Sequence, residues 1–161
     1  MHKRPKVKTI LYATDLGGQT RPVFRHALSL ADQYSADIIM LHVVEPMSET
    51  VKAVINTYLP KELTDEAQKD GMKDVLSEMK NRLKQFYEDE SDNNGPALVK
   101  EVMVVAGKPS EEILRVAEED GADMIVMGKS TRKVRGVRVM GSTARRVSRM
   151  SRVPVLVVPN Y

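Results

Sequence analysis

The sequence predicts an α/β domain in which a five-stranded parallel sheet carries helices on both faces, as an open, doubly wound sheet. Two observations lead to this fold class. Apolar, β-branched runs alternate along the chain with segments whose apolar residues recur at helical spacing. The run at 36–44, ADIIMLHVV, is apolar almost throughout, which is typical of a strand buried on both faces. Because 161 residues suit one domain, we expect a single domain over 1–161.

The first part of the chain predicts a strand, a helix and a second strand. A β-branched run at 8–14, KTILYAT, stops at a turn that contains Gly17 and Gly18, and Thr20 is placed to cap the helix that follows. The second strand is the run at 36–44. The apolar residues of the helix share one face and are predicted to point inward: Val23, Ala27, Leu30, Ala31 and Tyr34.

The middle of the chain predicts the longest helix, from about Thr64 to Tyr87. Before it, the segment 46–63 has prolines near both ends, and a short helix and a loop are open alternatives there. A polar linker follows the long helix at 88–96. The apolar residues that track one face of the long helix are Met72, Val75, Leu76, Met79, Leu83 and Phe86.

The last part of the chain predicts two helices and three further strands, at 97–105, 123–128 and 153–159. The first of these helices opens at Pro109 with two acids in its first turn, and it closes at Gly121. The second helix covers 142–151, and its inward residues are predicted to be Ala144, Val147 and Ser151. The complete pattern is five strands alternating with four helices.

Composition narrows the classes of function. The chain has no cysteine, which excludes thiolate zinc sites, cysteine nucleophiles and disulfides. The basic opening at 1–8 is not followed by the apolar core of a signal peptide, and no apolar run approaches the roughly 18 residues that a membrane span needs. We therefore expect a cytoplasmic protein that does not associate with membranes.

A basic, glycine-bearing stretch at 127–143, MGKSTRKVRGVRVMGST, is predicted to be neither helix nor strand. It begins where the fourth strand ends, and doubly wound sheets bind ligands beyond the carboxyl ends of their strands, where the strand order reverses. Gly128 would let the backbone approach such a ligand. The helix that begins after Gly141 offers free N–H groups to an anion, and two hydroxyls at its start add donors: Ser142 and Thr143.

Asp15 follows the first strand and is therefore expected at the same edge of the sheet. Its carboxylate would accept hydrogen bonds from a ribose hydroxyl or an adenine amino group, so the combination favours a nucleotide. Each residue alone also has a structural explanation: Asp15 as a turn acid, Val43 and Met127 as core residues, and the two hydroxyls as simple N-caps.

The chain resembles the universal stress protein family over essentially its whole length. The segments that carry the resemblance, in matching order and spacing, are ILYATDLG, LHVVEP, GKPSEEIL, and then DMIVMGKS, MGST and VPVLVVP. The resemblance implies a Rossmann-like fold and an adenine nucleotide as ligand, either ATP or AMP or ADP, with or without Mg²⁺. It also implies a homodimer, and because the fifth strand is expected at the end of the sheet, its free edge is the predicted contact.

The same resemblance implies which residues hold the nucleotide. One group holds the adenosine, a second flanks the ribose, and a third wraps the phosphates in a glycine, two residues, glycine, nine residues, glycine, serine or threonine pattern. The residues concerned, from the adenosine to the phosphates, are Ala13, Thr14, Asp15, Val43, Gly107, Met127, Gly128, Lys129, Thr131, Gly141, Ser142 and Thr143.

Thr131 departs from the family pattern because it stands where the middle glycine is expected. If that position needs a positive φ, a β-branched residue is strained there by about 1 to 2 kcal/mol, and the phosphates bind more weakly. The Thr131 hydroxyl could instead donate to a phosphate oxygen, and the neighbouring bases, among them Lys129, could offset its charge.

Nucleic-acid binding and catalysis are the rival functions. Bases crowd the last third of the chain, but none of the five tyrosines and two phenylalanines lies in the basic stretch to stack on nucleobases, so nucleic acid is disfavoured. The sequence has no P-loop, no zinc-protease motif and no nucleophile elbow. His42, inside an apolar strand, is expected to be packed or hydrogen-bonded rather than a metal ligand.

The sequence therefore predicts a cytoplasmic, ATP-binding regulatory module of the stress response that acts by nucleotide binding and homodimerisation, not by turnover. Two alternatives stay open. One is a nucleotide-free homodimeric interaction protein whose loop has lost the phosphates at Thr131, and the other is a weak ATPase. An unidentified protein partner is compatible with each of the three.

Overall fold

The sheet has five parallel strands. The computed structural model describes residues 3–16, 19–90, 98–129 and 133–160. Its sheet consists of β1 (Thr9–Thr14), β2 (Asp37–Val44), β3 (Val99–Ala106), β4 (Met124–Gly128) and β7 (Val155–Val158). The order across the sheet is β3-β2-β1-β4-β7. The chain therefore places β2 and β3 on one side of β1, and then β4 and β7 on the other side. The predicted sheet is confirmed, and so is the edge position of its last strand.

Five helices accompany the sheet within the described residues: α1 (Arg21–Tyr34), α2 (Glu49–Tyr58), α3 (Lys61–Glu90), α4 (Pro109–Glu119) and α5 (Ser142–Met150). The short helix α2 resolves the alternatives for 46–63, and it starts where the Ser48 hydroxyl accepts a hydrogen bond from the Val51 N–H. None of the helices in the described ranges combines the length and the apolar character that crossing a bilayer requires.

Two hydrophobic cores lie on opposite faces of the sheet because successive strand residues point to opposite sides. Ile10 and Tyr12 of β1 face the first core, and Leu11 and Ala13 face the second. The first core is covered by α1 and α3 and includes Phe24, Ala27 and Leu83. The second core is covered by α4 and α5 and includes Ile113, Val116, Ala144 and Val147.

Three details of the helix predictions are wrong. Tyr34 is 49% exposed, because it is the last residue of α1 and Ser35 ends the helix in the left-handed conformation at φ 53°. Thr20 occupies the N-cap position, but its side chain makes no capping hydrogen bond. Val75 is exposed, since α3 reaches the first core mainly near its C-terminal end, where Leu83 is fully buried.

The stretch at 127–143 was predicted to lack strands, and this is also wrong. Its first two residues end β4, and a two-stranded antiparallel hairpin follows, formed by β5 (Lys133–Val134) and β6 (Val137–Arg138). Arg135 and Gly136 make the turn with φ values of 51° and 79°, the positive values that a tight two-residue hairpin loop requires. Strands of two residues are too short to give a period-2 pattern, so the sequence does not reveal them.

Candidate functional site

A cavity of about 540 Å³ opens at the carboxyl ends of β1 and β4, where the strand order reverses. Its wall combines the ends of β1, β2 and β4, the residues just after β7, and the N-terminal ends of α1, α4 and α5. This is the position in which doubly wound sheets bind ligands, and the volume lies in the range of small-molecule sites.

Most of the residues predicted for the site lie on this one wall. The structure brings together Ala13, Thr14, Asp15, Val43, Met127, Gly128, Lys129, Gly141, Ser142 and Thr143. Of the remaining two, Thr131 lies outside the described residues, and Gly107 is not part of the wall. The space beside Gly107 belongs to α4, because a Cβ there would lie 2.7 Å from Cγ of Glu112.

The end of β1 is fixed by two hydrogen bonds of Thr14. Its hydroxyl accepts from the N–H of Leu16 at 3.1 Å, which supports the left-handed φ of 58° at Leu16. Its carbonyl accepts from Nδ1 of His42 at 2.7 Å, and since a carbonyl cannot donate, Nδ1 carries the proton. The expectation that His42 is hydrogen-bonded is confirmed, and the ring also lines the cavity. Asp15 follows directly, with its side chain exposed.

The opposite end of the cavity is formed by residues 128–129 and the start of α5. The N–H of Lys129 donates to the carbonyl of Val158 at 2.8 Å, and the carbonyl of Lys129 accepts from the N–H of Gly141 at 3.0 Å. These bonds hold Lys129 beside Gly141, at the base of the segment that contains the hairpin. We call residues 128–129 the neck of this segment. Gly141 is the N-cap of α5 in an extended conformation and has no side chain to cap the helix. The two hydroxyls that follow, Ser142 and Thr143, therefore belong to the first turn and are not N-caps.

Sequence reasoning missed several polar residues of the wall: Tyr12, Thr20, His42 and Asn160. The hydroxyl of Tyr12 donates to the carbonyl of Thr20 at 3.4 Å, and burial raises the pKa of this hydroxyl well above its ordinary value, so it stays neutral. Asn160 follows the last strand, and the rule that ligands lie beyond the carboxyl ends of strands, applied to that strand too, would have found it.

Metal-binding clusters are a separate question. Within the described ranges, no group of three or more histidine, cysteine, aspartate or glutamate residues is arranged to hold a metal ion.

Sequence comparison identifies relatives that span nearly the whole chain. The universal stress protein MJ0577 of Methanocaldococcus jannaschii is 27% identical over 160 residues, which cover 94% of both chains. The universal stress protein YxiE of Bacillus subtilis is 28% identical over 152 residues, which cover 92% of this chain and 97% of YxiE.

Structure comparison agrees. The solved structure of MJ0577 superposes with a TM-score of 0.75 at 25% identity, over 98% of this chain and 99% of that one. At lower similarity, a universal stress protein in complex with cAMP (TM-score 0.55, 20% identity, 98% and 100% coverage) and one from Archaeoglobus fulgidus in complex with dAMP (TM-score 0.52, 19% identity, 95% and 98% coverage) share the fold. The family profile described as "Universal stress protein family" matches residues 6–159, and the chain therefore belongs to the universal stress protein family.

Proposed function

We propose that this chain binds an adenine nucleotide in the cavity between β1 and β4, and that it acts in the cytoplasm as a regulatory stress-response module through nucleotide binding and homodimerisation. The observation that carries the proposal is the shape of one continuous wall. It joins the exposed carboxylate of Asp15, at one end, to the uncapped start of α5 after Gly141, at the other.

The electrostatics of the cavity favour an anion. Three helices, α1, α4 and α5, contribute residues of their first turn or N-cap to the wall, and the N-terminal end of a helix carries a partial positive charge with free N–H groups. Lys129 adds a cationic side chain on the same wall. Phosphates of a nucleotide supply the complementary charge.

The β1 end of the cavity suits an adenosine. An ionised carboxylate such as that of Asp15 accepts hydrogen bonds and donates none. Ribose hydroxyls and the adenine amino group are donors that such an acceptor can bind. Apolar side chains beside it, Val43, Met127 and Ile113, offer a surface for the purine ring. The two family members solved with cAMP and dAMP hold ligands that share adenine and phosphate, which supports the same ligand class here.

The proposed dimer uses the outer edge of β7. Within the described residues β7 pairs only with β4, so its other edge is available, and Leu156 on this strand is 37% exposed. An unpaired edge strand is a template for a second chain, and a two-fold axis would pair it with its own copy.

The experiment that tests the nucleotide proposal has two steps. Freshly purified protein is heated, and any released nucleotide is identified by chromatography and mass spectrometry. The emptied protein is then melted with ATP, AMP, GTP or no addition. An adenine nucleotide at 100 times its dissociation constant should stabilise the fold by about 2.7 kcal/mol, whereas GTP at the same concentration should not.

The nucleotide-free alternative rests on Thr131, which replaces a glycine of the family pattern. Protein that releases no nucleotide and melts at one temperature under all four conditions would favour this alternative. Release of inorganic phosphate from ATP, at a rate that follows protein concentration, would indicate the weak ATPase instead.

A further inference from the structure

Asn160 lies against Gly128 on the wall of the cavity. The residue is only 3% exposed, although it follows the last strand of the sheet. A Cβ built on Gly128 would lie 2.9 Å from Nδ2 and 3.1 Å from Cγ of Asn160, and 3.3 Å from Cγ2 of Val23. The buried amide of Asn160 therefore takes the space that any side chain at position 128 would need.

This contact gives a reason for the glycine at 128 that does not involve a ligand. Successive residues of β4 point to opposite faces, and Met127 belongs to the second core, with α4 and α5. A side chain at 128 would point to the face of α1, where Val23 and Asn160 lie. Glycine is thus required here by packing against Asn160 and Val23, whereas the sequence alone suggested close approach of a ligand.

Asn160 also belongs to a short series of contacts between the end of β7 and the neck at 128–129. Val158, two residues earlier, accepts the hydrogen bond from the N–H of Lys129 at 2.8 Å. Lys129 in turn accepts from the N–H of Gly141, the residue that opens α5. The end of the edge strand therefore sets the position of the backbone that leads into the proposed phosphate end of the cavity.

We propose that Asn160 is a positioning residue of the phosphate end of the site. This inference rests on the proposed function. By filling the space beside Gly128, the amide holds residues 128–129 in register with Gly141, so that the N–H groups of the first turn of α5 face the phosphates. Without the amide, residues 128–129 relax toward α1, and the start of α5, which is bonded to Lys129 through Gly141, no longer keeps its position.

The binding test compares ATP with adenosine by calorimetry, in wild type and in Asn160→Ala. We expect ATP affinity to fall about tenfold, the equivalent of one charge-assisted hydrogen bond, while adenosine affinity changes less than about twofold. Val116→Ala is the control, because it removes buried side-chain volume from the second core at a residue that does not line the cavity. It should leave the ratio of the two affinities unchanged.

A second measurement tests the contact itself, without nucleotide. Gly128→Ala should destabilise the wild-type fold in urea, and it should cost clearly less in the Asn160→Ala background, where the amide is gone. Additive costs would show that Asn160 does not occupy this space and would overturn the inference.

The remaining outcomes are also decisive. Asn160→Ala that binds ATP as wild type does, or that loses ATP and adenosine affinity equally, overturns the positioning role and leaves the proposed function intact. Wild-type protein that binds neither ligand overturns the proposed function and this inference with it.

Discussion

The imidazole of His42 donates a hydrogen bond from Nδ1 to the backbone carbonyl of Thr14 over 2.7 Å, and so ties the end of β2 to the end of β1. Asp15 is the next residue along the chain. The direction in which its carboxylate enters the cavity therefore depends on a side chain from the neighbouring strand.

His42→Leu should weaken AMP and ATP together, by about fivefold, because it removes one neutral hydrogen bond from the support of Asp15. His42→Asn should largely restore affinity, since its amide can donate in a similar position. Calorimetry with both nucleotides measures the effect. The matched control is His26→Leu, which breaks a comparable bond from Nδ1 to the Pro22 carbonyl on the exposed side of α1. Unchanged affinity in His42→Leu would contradict the link to Asp15.

Asp15→Ala should weaken every adenine nucleotide by a similar factor, whatever its phosphate count, because the carboxylate is proposed to contact the adenosine. Calorimetry with AMP and ATP measures this, and circular dichroism checks the fold. Asp32→Ala, which removes an exposed acid from α1, controls for the change in net charge. A variant that keeps its ATP affinity with an intact fold would show that the adenosine assignment is wrong.

Thr131→Gly should tighten ATP by about fivefold and leave AMP nearly unchanged if position 131 needs a positive φ, because glycine would then relieve strain of about 1 kcal/mol at the proposed phosphate end. Calorimetric titrations with ATP and with AMP measure the two affinities. Weaker ATP binding would instead make the Thr131 hydroxyl a ligand, and no binding by either protein would favour the nucleotide-free alternative.

The companion variant Gly141→Val should abolish ATP binding, since its side chain would stand at the open start of α5. Gly71→Val is a matched control, because a Cβ at Gly71 meets nothing within 4 Å. If ATP affinity survives Gly141→Val, the phosphates bind elsewhere.

Leu156→Lys should raise the monomer fraction at micromolar concentration, because it places a charge on the proposed dimer edge of β7. Val157→Lys and Val155→Lys should do the same, but at a cost in stability, since both valines pack against the second core. Light scattering measures the assembly and urea unfolding the stability. Val137→Lys, on the exposed hairpin, is the control. A monomeric wild type would remove the proposal.

Glu90→Gln should lower the free energy of unfolding by about 1 kcal/mol. The carboxylate of Glu90 is only 6% exposed and bridges Arg21 at 3.2 Å and Arg25 at 3.0 Å, so it fastens the end of α3 to α1. Glu78→Gln is the matched control, because its pair with Arg82 is exposed on both sides and should contribute no more than about 0.5 kcal/mol. Equal midpoints in urea for the two variants would contradict the role of Glu90.

The sheet could be predicted from the sequence because its strands are buried. Ile38 to Leu41 lie inside on both faces of β2, and such a run leaves an unbroken apolar signature. The order of strands and helices then brings the carboxyl ends together, which is why Asp15 and Gly141 can be assigned to one edge from the sequence alone.

The parts that escaped prediction depend on contacts between distant segments. Nothing local to Asn160 indicates burial, since it is buried against Gly128, a residue distant in the sequence. In the sequence His42 is one more residue of an apolar strand, and only the register of β1 and β2 places it opposite Thr14. The hairpin turn at Arg135 and Gly136 lacks the asparagine-glycine signal of tight turns, so its positive φ angles were not foreseen.

The hairpin of β5 and β6 also provides a place for a probe. Its turn at Arg135 is exposed, and the chain contains no cysteine, so Arg135→Cys would introduce a unique thiol for a fluorophore. The hydrogen bond from the N–H of Gly141 to the carbonyl of Lys129 joins the two ends of the segment that carries this turn. A dye on this turn would lie on the segment between Lys129 and Gly141, both of which line the cavity, so its emission would report whether that segment responds when nucleotide is added.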